Sequence, residues 1–132
     1  MRLHTQFMNQ IISVESLWQK IKFAENGLIP AIAQSIETKE ILMLAYMNQE
    51  SLIKTLQTGK IHYWSRSRQK IWLKGETSGH LQFLEQIYLD CDGDTLLLLI
   101  KQIGPACHTG KPNCFFQQIN FSKDLSLPEE IK

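Results

Sequence analysis

A chain of 132 residues, 43% hydrophobic and 20% charged, has the size and balance of one globular domain and excludes a low-complexity or disordered polymer. Its 14 Lys and Arg against 13 Asp and Glu leave a formal net charge of +1, which excludes the positive field of a nucleic-acid or membrane-surface binder. The longest apolar run, Ile41 to Met47, falls far short of the roughly 20 residues of a bilayer span, and Met1 to Gln6 carries no signal-peptide region. Three cysteines without an export signal argue for metal ligands or reactive thiols rather than disulfides, so a cytoplasmic protein is expected.

Residues 1–12 have no period and read as a peripheral extension. Ser13 can cap a helix over 14–23, with Val14, Leu17, Trp18 and Ile21 on one buried face. After the Asn26-Gly27 turn, residues 28–35 and 40–47 read as strands, the second apolar on both faces and therefore central. Asn48 caps a second helix, with Leu52, Ile53 and Leu56 as its stripe and Gly59 beyond its end. Strands follow at 61–65, 71–74, 82–89 and 95–102, then a turn-rich piece over 104–114 and a short strand at 115–119. The expected fold class is α+β: a small single domain with a mainly antiparallel β-sheet and two short helices.

Ligand chemistry is densest at Asp90-Cys91-Asp92-Gly93-Asp94. If this stretch is extended, the alternation of side chains sends the three carboxylates to one face and Cys91 to the other. Carboxylates suit a hard cation such as Mg²⁺, and a thiolate suits Zn²⁺. A calcium loop is excluded because its glycine and glutamate positions hold Thr95 and Lys101. A solvated acidic turn is the plainer alternative, although like charges this close repel without a cation or water between them. Cys107 and Cys114 lie seven apart across a Gly/Pro loop, and Cys91 lies sixteen before Cys107. Three thiolates make a zinc site with one open position. Three buried, reduced cysteines satisfy the same spacing. His108 can shuttle a proton to and from a zinc site, or close it as a fourth ligand.

Two turns could bind anions. Ser65-Arg66-Ser67-Arg68 offers two guanidiniums with hydroxyls between them, and Lys74-Gly75-Glu76-Thr77-Ser78-Gly79-His80 offers a lysine, hydroxyls and flexible backbone. Trp64 and Trp72 flank the first turn, to stack on a base or to pack in a hairpin. Together the turns suggest a phosphorylated, nucleotide-like small-molecule substrate.

The segments Asn26-Gly-Leu-Ile-Pro30, Met43-Leu-Ala-Tyr-Met-Asn48, Tyr63-Trp-Ser-Arg-Ser-Arg68, Trp72-Leu-Lys-Gly-Glu-Thr-Ser-Gly-His80, Leu89-Asp-Cys-Asp-Gly-Asp94 and Gly104-Pro-Ala-Cys-His-Thr-Gly110, with Cys114-Phe115, resemble the phosphoribosyl-AMP cyclohydrolases of histidine biosynthesis. They place the domain at 24–119, after an extension and helix at 1–23 and before a tail at 120–132. The resemblance implies hydrolytic opening of the purine six-membered ring of phosphoribosyl-AMP between N1 and C6. It also implies zinc on Cys91, Cys107 and Cys114, Mg²⁺ on Asp90, Asp92 and Asp94, and a homodimer whose zinc sites draw cysteines from both subunits.

In this reading His108 is the catalytic base. Trp64, Ser65, Arg66, Arg68, Lys74, Glu76, Thr77, Ser78 and His80 line the substrate site, and neither nucleic acid nor membrane is a partner. A pyrophosphohydrolase activity, fused in some organisms, is expected elsewhere, since 13 residues follow Ile119. A zinc nucleobase deaminase is a poor rival, because no histidine precedes a glutamate at the required spacing and no Cys-x-x-Cys is present. A zinc-stabilised RNA-binding module is disfavoured by the near-neutral charge.

Overall fold

The computed structural model describes residues 10–123 and 126–131. Most of the N-terminal extension expected at 1–12 lies outside them. Helix α1 (Val14–Lys20) is followed by β1 (Ile29–Ser35), β2 (Ile41–Met47), α2 (Gln49–Thr58), β3 (His62–Ser65), β4 (Lys70–Leu73), β5 (Gln82–Leu89) and β6 (Leu96–Gln102), and a 3-10 turn spans Glu129–Ile131. The strands form one six-stranded sheet in the order β4-β3-β2-β1-β6-β5. It is mixed. The β1–β6 pair is parallel, with Ala31 opposite Leu96 and Ser35 opposite Ile100, while the other pairs are antiparallel. The sheet curls until Lys60, just before β3, bridges Phe83 at the start of β5.

The core lies inside this curl. β1 alternates, burying Ile29, Ala31, Ala33 and Ser35, and β6 buries Leu96, Leu98 and Ile100 beside them. β2 is central as expected, but its outward Ile41 and Leu44 remain 44% and 45% exposed. Helix α2 closes the core with Leu52, fully buried. Its start is fixed by a reciprocal cap: Ser51 N–H donates to Asn48 Oδ1 (2.8 Å), and Asn48 N–H donates to Ser51 Oγ (2.9 Å). Its end reverses at Gly59, where φ is +75°. Buried Thr55 then ties helix to sheet, accepting from His62 N–H at 2.8 Å.

Three expectations change. α1 stops at Lys20 rather than residue 23, because Ile21 is already extended and Lys22 N–H donates to Gly93 O at 2.7 Å. Val14, the first residue of the helix, is 51% exposed rather than part of a buried face. No strand forms at 115–119. β2 meets β3 only at Tyr46–Trp64, so Leu42 O is left to accept from Cys114 N–H (2.8 Å), and no main-chain bond to a strand continues this pairing over residues 115–119.

Candidate active site

The parallel β1–β6 pairing gives the sheet two functional ends. Where β1 and β6 begin stands the Asp90–Asp94 segment, and where they finish stands the 104–114 loop.

Asp90–Asp94 is a turn, not an extended segment, so side-chain alternation is not what gathers its carboxylates. Asp90 Oδ1 accepts from Asp94 N–H (2.9 Å) and Thr95 N–H (3.1 Å), and Gly93 N–H donates to Asp90 O (3.1 Å). Gly93 turns the chain at φ +81°, with room for no side chain: an ideal Cβ would stand 2.4 Å from Lys20 O. The result brings ligand oxygens of Asp90, Asp92 and Asp94 within 4.8 Å of one another, all on exposed residues. Desolvation acts to raise Asp90, but the amides of Asp94 and Thr95 prevail and hold its carboxyl below the usual range. Asp94 is pushed up, first by hydrogen bonding with Asp92 and then by desolvation and the charge of Asp92. An all-oxygen, triply acidic donor set fits a hard divalent cation. Cys91 is exposed in the same turn.

At the other end Cys107, Cys114 and Lys74 come together. Cys107 Sγ accepts from Thr109 Oγ1 at 3.0 Å, and this hydroxyl, with the Thr109 amide, holds the thiol below its ordinary value. Desolvation and the facing Cys107 push Cys114 up. Lys74 Nζ donates to Ala106 O at 2.6 Å. Desolvation lowers its pKa, opposed by the two cysteines. A cation between two thiols favours their ionised, metal-binding form. The loop is anchored by Asn113 Nδ2 donating to Glu40 Oε2.

Cys91 does not join this pair within the chain. It precedes β6 and the pair follows it, and a seven-residue strand spans about 20 Å. Among the described residues, only the aspartate trio brings three metal-ligating groups together. A closed site of three cysteines and His108 within one chain is therefore absent, and His108 is exposed beside Cys107.

The two expected anion turns also part company. Lys74 belongs to the cysteine pair, and His80 packs its ring over Gly104, where a Cβ would stand 2.6 Å from Cδ2. Gln102 Nε2 donates to His80 O at 3.5 Å and to Ile103 O at 3.2 Å, while its Oε1 ends a side-chain relay: Tyr63 Oη donates to Gln82 Oε1 (2.7 Å), and Gln82 Nε2 donates to Gln102 Oε1 (2.8 Å). Burial, with Cys114 nearby, drives the Tyr63 hydroxyl far up, so it is a neutral donor. Glu76 Oε1 accepts from Leu73 N–H (2.8 Å) and Ser78 Oγ from His80 N–H (3.1 Å), so both shape the turn, while Thr77 is exposed. Trp72 packs 5.3 Å from Tyr63 and is a hairpin tryptophan rather than a base-stacking one.

The arginine turn stands apart. Arg66 lies 4.1 Å over the Tyr46 ring, Ser65 Oγ accepts from Arg68 N–H (3.2 Å), and Arg68 is exposed. Tyr46 and Thr109 stand inside the segments that carry the family resemblance but had no role assigned from sequence, and the buried Gln82 and half-buried Gln102 had no motif signal marking them. Thr109 alone was within reach of sequence reasoning, as a hydroxyl two residues from Cys107.

The family model for phosphoribosyl-AMP cyclohydrolase matches residues 43–116. The phosphoribosyl-AMP cyclohydrolase of Roseobacter denitrificans is 53% identical over 114 residues, 85% of this chain and 89% of that protein. The one from Rhodospirillum centenum is 54% identical over 122 residues, 89% of this chain and 92% of that protein. A histidine biosynthesis bifunctional protein of Prochlorococcus marinus is 62% identical over 102 residues, which are 76% of this chain and 45% of that longer protein.

Proposed function

The chain belongs to the phosphoribosyl-AMP cyclohydrolase family, and from that premise we propose that it hydrolyses the N1–C6 bond of phosphoribosyl-AMP in histidine biosynthesis, as a homodimer. The observation that carries the reading is the separation of Cys91 from Cys107 and Cys114 to opposite ends of the sheet. A second copy, turned end for end by a two-fold axis, sets the Cys91 and aspartates of one subunit against the cysteine pair of the other. Residues Ile41, Leu44, Phe115 (62% exposed) and Ile119 (76% exposed) supply apolar surface that such a partner would cover.

Cys91, Cys107 and Cys114 would hold zinc, which supplies an acidified water for attack on C6. His108, exposed beside Cys107, takes the proton from water and returns it to N1 as the ring opens. The Lys74 charge favours the ionised form of both cysteines, and its held position against Ala106 O orients the loop that carries His108. Asp90, Asp92 and Asp94 would hold Mg²⁺, which neutralises substrate oxygens, and Arg66 and Arg68 bind phosphate.

The test follows the ultraviolet change of ring opening with phosphoribosyl-AMP, zinc and Mg²⁺ present. Turnover is expected, and its absence in metal-loaded protein defeats the reading. For His108→Ala, kcat is expected to fall by at least about 100-fold with zinc content unchanged. A variant with full turnover removes His108 from the chemistry.

Acid should weaken the aspartate site in a specific way. Without a cation, the raised Asp94 carboxyl binds its proton more readily in the folded protein, so its contribution to stability is present at low pH and lost as pH rises through its range. A cation reverses this by taking the proton's place. The rise in melting temperature on adding Mg²⁺ is therefore expected to be full near neutrality and to vanish as pH falls through the Asp94 range. A rise independent of pH would place the cation elsewhere.

A further inference from the structure

On the side of the molecule where β1 begins and β2 ends, an open cavity of about 800 Å³ is lined by Asn26, Asn48, Glu50, Trp64, Arg66 and Gln69. Its size lies within the range of small-molecule sites. It adjoins the aspartate turn, because Phe23 in its wall follows the Lys22 amide that donates to Gly93 O. Its polar groups are placed but unspent. Asn26 Oδ1 accepts from Leu28 N–H (3.1 Å) and Asn48 Oδ1 from Ser51 N–H (2.8 Å), so each side chain is fixed while its NH₂ has no partner among the described residues. Arg66 has no carboxylate partner among them either. Its guanidinium carbon lies over the Tyr46 ring, 4.1 Å from the centroid, and its N–H groups have no hydrogen-bond acceptor among the described residues.

The turn that presents Arg66 is held in an unusual way. Gln69 adopts φ +54°, a left-handed conformation in which glycine would be less strained. Its Nε2 donates to Arg66 O at 2.7 Å, and its N–H donates to Ser65 O at 2.8 Å. The side chain thus fastens the turn at the residue whose guanidinium borders the cavity. Strain that persists where another residue would relieve it points to a role for the side chain itself.

We infer that this cavity receives one ribosyl 5′-phosphate arm of the substrate, with Gln69 as the positioning residue of the arginine turn. Arg66 takes the phosphate by paired hydrogen bonds. The Asn26 and Asn48 amides donate to sugar oxygens, the Glu50 carboxylate accepts from sugar hydroxyls, and Trp64 forms the apolar wall. The inference rests on the substrate proposed above.

The test uses the full-length, metal-loaded protein. Titration with ribose 5-phosphate is expected to shift the Trp64 indole resonance, identified by its loss in Trp64→Phe, and Arg66→Gln should abolish the shift. Gln69→Gly keeps the backbone conformation and removes the fastening amide. It is expected to raise KM for phosphoribosyl-AMP by about 5- to 10-fold with kcat within about twofold and an equal or higher melting temperature. A purely structural Gln69 predicts an unchanged KM, and unchanged KM in both Gln69→Gly and Arg66→Gln overturns the inference while leaving the ring-opening activity intact. A protein that binds ribose 5-phosphate through Arg66 but does not open the ring sustains the cavity and defeats the proposed reaction.

Discussion

Mixing inactive Cys91→Ser protein with inactive Cys107→Ser protein is expected to restore activity. On the proposed shared zinc site each variant alone would lack a ligand at every site, and its turnover and bound zinc should fall by more than about 100-fold. In a hybrid dimer, one site combines both defects. The other receives Cys91 from the Cys107→Ser subunit and an intact pair from its partner. Random pairing makes half the dimers hybrid, each with one good site of two, so co-refolded protein should recover about a quarter of wild-type turnover and zinc. No recovery would mean that the cysteines are not shared between chains. The opposite placement of Cys91 and the Cys107–Cys114 pair about β6 is what makes the experiment decisive.

Gly93→Ala is expected to be the most damaging single methyl in the aspartate turn. Its Cβ would meet Lys20 O at 2.4 Å, and both partners are backbone, locked together by the Lys22 N–H to Gly93 O bond of 2.7 Å. Left-handed backbone costs a residue with a Cβ roughly 1–2 kcal/mol. The overlap adds to this, for a total of about 3 kcal/mol or more and a melting temperature lowered by about 10 °C. The Mg²⁺-induced rise should be lost as well, because the Asp90 and Asp94 oxygens cannot converge once the turn opens. Gly59→Ala is the control. Its φ of +75° carries a similar backbone penalty, but nothing lies within 4 Å, so the loss should stay near 1–2 kcal/mol. Equal losses at the two glycines would show that the packing against Lys20 is unimportant.

Much of the local structure was legible. Asn48 and Gly59 bounded α2 correctly because capping and the left-handed end depend on residues within a turn of each other. β1 and β2 were readable as apolar runs that follow a turn signal, the second by its apolar residues on both faces. The end of α1 was not, since Lys22 leaves the helix for a carbonyl at Gly93, seventy-one residues on. Residues 115–119 have the apolar content of a strand, but a strand also needs main-chain pairing with a neighbour, and whether the chain is led along one is a property of the assembled sheet. The aspartate segment shows the same limit from the other side: its carboxylates do converge, as expected, but through a turn closed by Asp90 rather than through the side-chain alternation of an extended segment.

The sequence by itself determined the donor atoms: three carboxylates around Gly93, three thiols, His108, the arginines, and motifs specific enough to identify the family. Those are matters of residue identity and short spacing. Tertiary structure alone decided which of them can meet. The parallel pairing of β1 with β6 joins residues some sixty-five positions apart, and it sends the aspartates to one end of the sheet and the Cys107–Cys114 pair to the other. Strand direction of this kind is set by which faces the whole chain can bury together, with Ala31, Ala33, Leu96 and Leu98 packed in one core, and no local pattern encodes it.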